Sequence, residues 1–171
     1  DMNVYPYITY DNVLVWKTFL YMAEMLKGIE GVEFCNKLLE KADRVEKAIW
    51  DHCVVKMCDK EMFAWSVDLN GQWNIYDEPP GSLQLLPFYG FCDESNQVYQ
   101  NTVEYIRRPE YKFSFHNCRI AEIGCEHAPH PWVLSIANSL ICGRKKEFID
   151  ILPVLKMDNG IACESVDETT G

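Results

Sequence analysis

Between Asp11 and Leu26 the apolar residues Val13, Trp16, Phe19, Leu20, Ala23 and Leu26 recur at three- and four-residue intervals, the period of one helix face, and Gly28 supplies a stop. The linker Gly28-Ile29-Glu30-Gly31 is short enough to bring a second helix back antiparallel to the first. That helix carries Cys35, Leu38, Ala42, Val45 and Ile49 on one stripe, with charged residues around the rest as a solvated face. After Cys58 the period changes to two. Phe63, Trp65 and Val67 alternate with Ala64, Ser66 and Asp68, and Asn70-Gly71 turns the chain into Trp73 and Ile75, the pattern of a β-hairpin. Ser95 is placed to cap a helix over 96–107 with Tyr99, Val103 and Ile106 inward. An irregular stretch follows from Pro109 to Pro131. Pro131 then suits the first turn of a helix carrying Val133, Ile136, Ala137 and Leu140 and ended by Gly143, and another runs from Lys145 to about Lys156, perturbed by Pro153. With no βαβ alternation, Gly-rich phosphate loop or internal repeat, the chain reads as mainly α.

The segment Asp77-Glu78-Pro79-Pro80-Gly81 joins the hairpin to Leu83, Leu85, Leu86, Phe88 and Tyr89, which are too apolar for an exposed linker and should enter the core at once. Two prolines fix φ and keep the preceding residue extended, so the two acids are held in place. The plain reading is a solvated turn before a core segment; the sharper one is a carboxylate delivered to a site.

Composition narrows the partners more than the fold. A formal charge of -10 argues against a phosphate backbone, since the basic clusters Arg107-Arg108 and Arg144-Lys145-Lys146 are short. No apolar run reaches the length of a membrane span. Eight cysteines invite a disulfide framework, but 171 residues can bury a core without staples, and several cysteines fall at apolar helical positions. Reduced thiols in a cytoplasmic protein are the expectation. The start at Asp1 and the polar end at Gly171 read as an excised piece: residues 1–171 as one domain, itself part of a larger one.

Four features could carry chemistry. Asp77-Glu78 is the first. The run Gly124-Cys125-Glu126-His127-Ala128-Pro129-His130, with His116 and Cys118, has enough donors for zinc, but no Cys-x2-Cys pair is present and the spacings match no common zinc module, so neither a metal nor any cofactor is expected. Glu164, between Cys163 and Ser165 after the Asn159-Gly160 turn, could sit at a loop rim and activate water; it could equally belong to a frayed end. Tyr5, Tyr7 and Tyr10 interleave with acids, which suits sugar rings whose apolar faces stack while hydroxyls bond to carboxylates, and equally suits a simple cap on the core. Separated carboxylates among tryptophans and tyrosines fit glycoside chemistry, which sets an acid and a base on opposite sides of one bond.

Four ordered segments carry a resemblance. Ser82-Leu83, Leu86-Pro87 and Gly90 resemble the Ser-Leu-x-x-Leu-Pro-x-x-Gly stretch of family 125 glycoside hydrolases, the metal-independent exo-α-1,6-mannosidases. Tyr99-Gln100-Asn101-Thr102, Gly124 to Pro129, and Gly160 to Asp167 are similar to that family's Tyr-Gln-Asn-Thr, Gly-Ser-Pro-His-Thr-Pro and Gly-Phe-Met-His-Glu-Ser-Phe-Asp. The resemblance implies an (α/α)6 toroid, here a partial one of antiparallel helix pairs with one small β-hairpin, and inverting, metal-free hydrolysis of a terminal α-mannoside. The general base falls on Glu164. The general acid falls on Asp1 by gap-free alignment, with Asp77 as the substitute. Tyr76, Asp77, Ser82, His127 and Trp132 are the expected substrate contacts. The sequence departs from the pattern at Cys163, Ala128 and Tyr76, where the family has His, Thr and Asp, so the sugar and linkage are less fixed than the reaction. The rival expectation is a non-catalytic carbohydrate-binding or assembly piece, pairing with a second copy through the open side of an incomplete toroid.

Overall fold

The computed structural model describes residues 4–171. The helix pair expected from the apolar stripes forms α1 (Thr9–Met25) and α2 (Val32–His52), which pack more extensively on one another than any other two elements. Gly28 takes φ +89° in the turn between them, a backbone state that L side chains adopt at a cost. Val13 and Trp16 of α1 and Ala42 and Ile49 of α2 enter one cluster with Phe63, Trp65, Leu83, Leu86 and Phe91, so the pair and the 63–91 segment share a core.

Two hairpins follow where the sequence pattern announced one. β2 (Val54–Met57) and β3 (Lys60–Phe63) pair antiparallel through a two-residue turn in which Cys58 and Asp59 both have positive φ, 48° and 63°. That geometry matches the twist of paired strands but is usually written with Asn or Gly, which is why the sequence hid it. The Asn70-Gly71 hairpin is present as β4 (Ser66–Val67) and β5 (Trp73–Asn74), in register Val67 to Trp73, and β1 (Tyr7–Ile8) adds to the free edge of β4. The inward-outward alternation expected over 63–68 does not hold. Phe63, Ala64, Trp65, Ser66 and Val67 are all buried, because the core covers one face and the start of α1 the other: Thr9 N donates to Trp65 O at 2.9 Å and Thr9 Oγ1 to Ala64 O at 2.6 Å.

Leu83, Leu85 and Leu86 enter the core directly after the prolines, through two 3-10 turns, Pro79–Gly81 and Leu83–Leu85; Phe88 instead faces solvent. Asn96, not Ser95, caps α3 (Gln97–Arg107), accepting from Val98 N at 3.0 Å and Tyr99 N at 3.2 Å. α4 (Val133–Ile141) begins just after Pro131, and α5 (Lys145–Ile151) gives way early to a 3-10 turn at Leu152–Val154, since Pro153 brings no backbone N–H to continue it. Residues 160–168 are tied down: Val133 N donates to Glu164 O at 3.2 Å, Val166 N to Pro131 O at 2.9 Å, and Ile120 N to Glu168 O at 3.1 Å. The result is mainly helical with small strands, as expected. Among the described residues no helix is long and apolar enough to cross a membrane, and the eight cysteines are unpaired.

Candidate active site

In an extended chain neighbouring side chains point to opposite sides, and the prolines hold Glu78 extended at φ -135°, ψ 127°. Asp77 and Glu78 therefore part company. Asp77 turns inward and is fully buried: Oδ1 accepts from Leu83 N at 2.7 Å, and Oδ2 from Ser82 Oγ at 2.7 Å and Gln84 Nε2 at 3.4 Å. Burial pushes its carboxyl up to about 6, against the pull of those three donors. Gln84 Oε1 accepts in turn from Arg107 and Arg144, while Arg107 pairs with buried Glu122 at 3.1 Å. Glu122 also accepts from Ser135 Oγ at 2.8 Å and from Ser139, and Asn138 Nδ2 donates to Pro79 O at 2.8 Å. Helix α4 thus holds the double-proline loop through a buried polar network.

This placement departs from the expectations for three residues. Asp77 and Ser82 have no face open to a sugar, so neither a leaving-group acid at Asp77 nor a substrate contact at either residue fits; they staple the loop. Tyr76 is half-buried, edge-on to Trp65 and Phe113, and its hydroxyl accepts from Glu126 N at 3.0 Å. It braces the 124–130 loop from behind.

Glu78 turns outward into a hollow of about 510 Å3 that it shares with Glu164. The near wall is the N-terminal strand and helix, with Ile8, Tyr10, Asp11 and Leu14; the floor is Trp65 with Pro80 and Gly81; the far wall is His127 and Trp132. A Cβ on Gly81 would stand 3.1 Å from Tyr10 Cδ1 and 3.3 Å from Trp65 Cη2, so any side chain here would push both rings back by a few tenths of an ångström. His127 stands between the two glutamates, Nδ1 at 2.9 Å from Glu78 Oε1 and Nε2 at 3.9 Å from Glu164 Oε1. Its ring meets Trp132 edge-on at 5.1 Å, and Trp132 Nε1 donates to Ala128 O at 3.1 Å. Asp1 lies outside the described residues. A second hollow of about 490 Å3, between α1 and α2, has no carboxylate in its lining, and two-carboxylate chemistry has no footing there.

Among the expected residues the fold therefore brings Glu164, His127 and Trp132 into one hollow and leaves Asp77, Ser82 and Tyr76 behind its wall. Tyr10, Asp11 and Glu78 join them as lining residues; Tyr10 and Glu78 were named within candidate stretches of the sequence, and Asp11 was not. The signal for Glu78 was its place one residue after Asp77 in an extended segment. The zinc-capable set named from the sequence is divided: His130 Nδ1 lies 3.0 Å from Glu168, while Cys125 and His127 gather with Glu78, the ligand atoms of all three within 4.8 Å of one another.

The model of the metal-independent alpha-mannosidase family GH125 matches residues 1–170. The chain is 27% identical over 176 residues to the meiotically up-regulated gene 157 protein of Schizosaccharomyces pombe, a match covering 98% of this chain and 35% of that protein. In structure it is similar, with a TM-score of 0.84 at 20% identity, to a Streptococcus pneumoniae protein of a family of metal-independent alpha mannosidases, solved as a non-productive substrate complex with alpha-1,6-mannobiose; 99% of this chain and 42% of that one are covered. The chain thus spans about a third of the curated relative and about two fifths of the solved one. The likeness in structure carries the toroidal helical fold.

Proposed function

Since this chain belongs to the GH125 family of metal-independent alpha-mannosidases, we propose that it forms part of a glycoside hydrolase that removes a terminal α-mannose with inversion, using two carboxylates. On this reading residues 1–171 are one section of a larger toroidal catalytic domain. The observation that carries the proposal is the single hollow in which Glu164 and Glu78 flank His127 between aromatic walls. Its volume of about 510 Å3 falls in the range of small-ligand pockets, roughly 300–1,000 Å3.

Glu164 acts as general base: its carboxylate takes a proton from a water as that water attacks the anomeric carbon. Asp1 acts as general acid and protonates the departing oxygen on the opposite side of the ring. Inversion needs the two carboxyl groups roughly 6.5–9.5 Å apart so that the water fits between the base and the sugar. Support for an acid from the opening residues comes from β1, which pairs with β4 and, with the first turn of α1, brings Ile8, Tyr10 and Asp11 to the hollow's edge. Glu78, Asp11 and His127 bind sugar hydroxyls, and Trp132 and Tyr10 take the apolar ring face, as aromatic walls with a few polar groups do for carbohydrates.

The test is a proton NMR time course on an aryl α-mannoside, for the protein and for Glu164→Gln. The β-anomer of mannose should accumulate first, and the variant should lose at least ~10²-fold in turnover with its fold intact, the range for a general base. Appearance of the α-anomer first, or undiminished turnover by the variant, would overturn the assignment.

A second reading is favoured by one observation. Met25, Ile29 and Val32 are three-quarters exposed where α1 meets α2, an apolar patch suited to assembly with another helical surface. An assembly module would change its gel-filtration volume with concentration and show no turnover.

A further inference from the structure

Glu78 and His127, which line the hollow, and Cys125, buried behind them, form a donor set that the hydrolytic reading does not use as a set. Cys125 Sγ lies 3.4 Å from His127 Nδ1, and Glu78 Oε1 lies 2.9 Å from that same nitrogen. Zinc with one thiolate, one imidazole and one carboxylate has bonds of about 2.0–2.3 Å, which in a tetrahedron sets ligand atoms roughly 3.3–3.5 Å apart. The sulfur–nitrogen edge already has that length. The nitrogen–oxygen edge must open by only a few tenths of an ångström, a small rotation of the exposed imidazole.

Both arms of the set are held from outside it. Glu78 hangs on the double-proline loop, pinned by Asn138 on Pro79 O and by the Asp77 staple. Cys125 and His127 sit on a tight loop in which Cys125 N donates to Ala128 O at 3.2 Å and His130 N to the same oxygen at 2.8 Å. That loop cannot shift where it packs on itself: a Cβ on Gly124 would come 2.4 Å from His130 O. Rigid, pre-placed ligands are what a cation site needs beyond the right donor types. Three protein donors also leave one coordination position open, the arrangement of exchangeable rather than closed structural sites.

We propose that Glu78, Cys125 and His127 bind one zinc-type divalent cation, and that the bound ion inhibits the enzyme by taking two of the side chains that otherwise meet the sugar. The cation is an inhibitor here, not a cofactor, and this second half rests on the mannosidase reading above. Binding takes the Nδ1 lone pair, displaces the thiol proton of Cys125 into solvent, and leaves Nε2–H on the side of Glu164.

The test uses untagged, metal-stripped protein. Zn2+ is titrated in competition with a chromophoric chelator, and Co2+ is added separately to read a thiolate-to-cobalt charge-transfer band in the near ultraviolet. One tight equivalent is expected. Cys125→Ser should abolish the cobalt band, and Cys125→Ser and Glu78→Gln should each weaken zinc by at least about tenfold. Cys58→Ser, at an exposed turn thiol, should change neither reading. Should Cys125→Ser fail to fold, Glu78→Gln decides alone, as its side chain is at the hollow's wall. Binding no tighter in the parent protein than in Glu78→Gln, or cobalt bound without a thiolate band, would overturn the site. In the activity arm, zinc should raise KM reversibly, with relief by chelator; tight binding without that rise overturns the inhibitory half. A protein that binds zinc as described yet hydrolyses no mannoside would sink the mannosidase reading and leave the cation site standing.

Discussion

Asp77→Asn separates a structural staple from a catalytic acid. The folded carboxyl titrates at about 6 against an ordinary 3.8, with burial as the main cause. Between those values the native state holds a proton that the unfolded chain has released, so the protonated acid favours folding. That stabilisation is complete below the unfolded value and is lost as pH rises through about 6. At about 1.36 kcal/mol per pH unit the gap amounts to roughly 3 kcal/mol. Asparagine is neutral throughout: it can keep Leu83 N on its oxygen and turn its amide toward Ser82 Oγ, with Gln84 Nε2 left facing a donor. Urea unfolding of both proteins from pH 3 to 8 should therefore show the parent losing roughly 3 kcal/mol relative to the variant across that window, with most of the change between pH 4 and 6.5. In the same samples kcat should stay within a few-fold of the parent, because Asp77 does not reach the hollow. A flat difference across the titration would refute the buried-carboxyl account. A loss of kcat by 10²-fold or more in a folded variant would return Asp77 to the chemistry.

The other predictions follow from neighbouring contacts. Gly124→Ala puts a methyl against the backbone of His130 and the ring of Phe115, and should cost about 1–3 kcal/mol in urea unfolding while raising KM, because the same loop carries His127. Glu122→Ala leaves Arg107, Ser135 and Ser139 without their buried acceptor and should destabilise by about 3–5 kcal/mol, readable as a large drop in Tm. Gly81→Ala adds a methyl to the floor of the hollow beside Tyr10 and Trp65, and should raise KM for a mannoside several-fold with a smaller effect on kcat; an unchanged KM would mean that sugars do not use this floor.

The helices were written in the sequence because apolar spacing is a local property: Val13 and Trp16 on one turn, or Leu38 and Ala42 on the next helix, need no distant partner to declare a face. The Asn70-Gly71 hairpin was equally legible, since a tight turn carries its own backbone demand, met here by Gly71 at φ +94° in a three-residue loop closed by Asp68 N on Gln72 O. The sequence also supplied the chemistry on offer, namely carboxylates and aromatics in an acidic chain with little to hold a phosphate backbone. Which carboxylate meets the outside was another matter. Asp77 and Glu78 are adjacent and chemically alike, yet one is closed in the core and the other opens into the hollow. The extended backbone before two prolines sends them to opposite sides, but only the packing of α3, α4 and Gln84 decides which side is the interior. His127 and Glu164, thirty-seven residues apart, meet because Val133 and Trp132 pair with the chain around Glu164, and long-range pairing of that kind leaves no periodic trace in either segment.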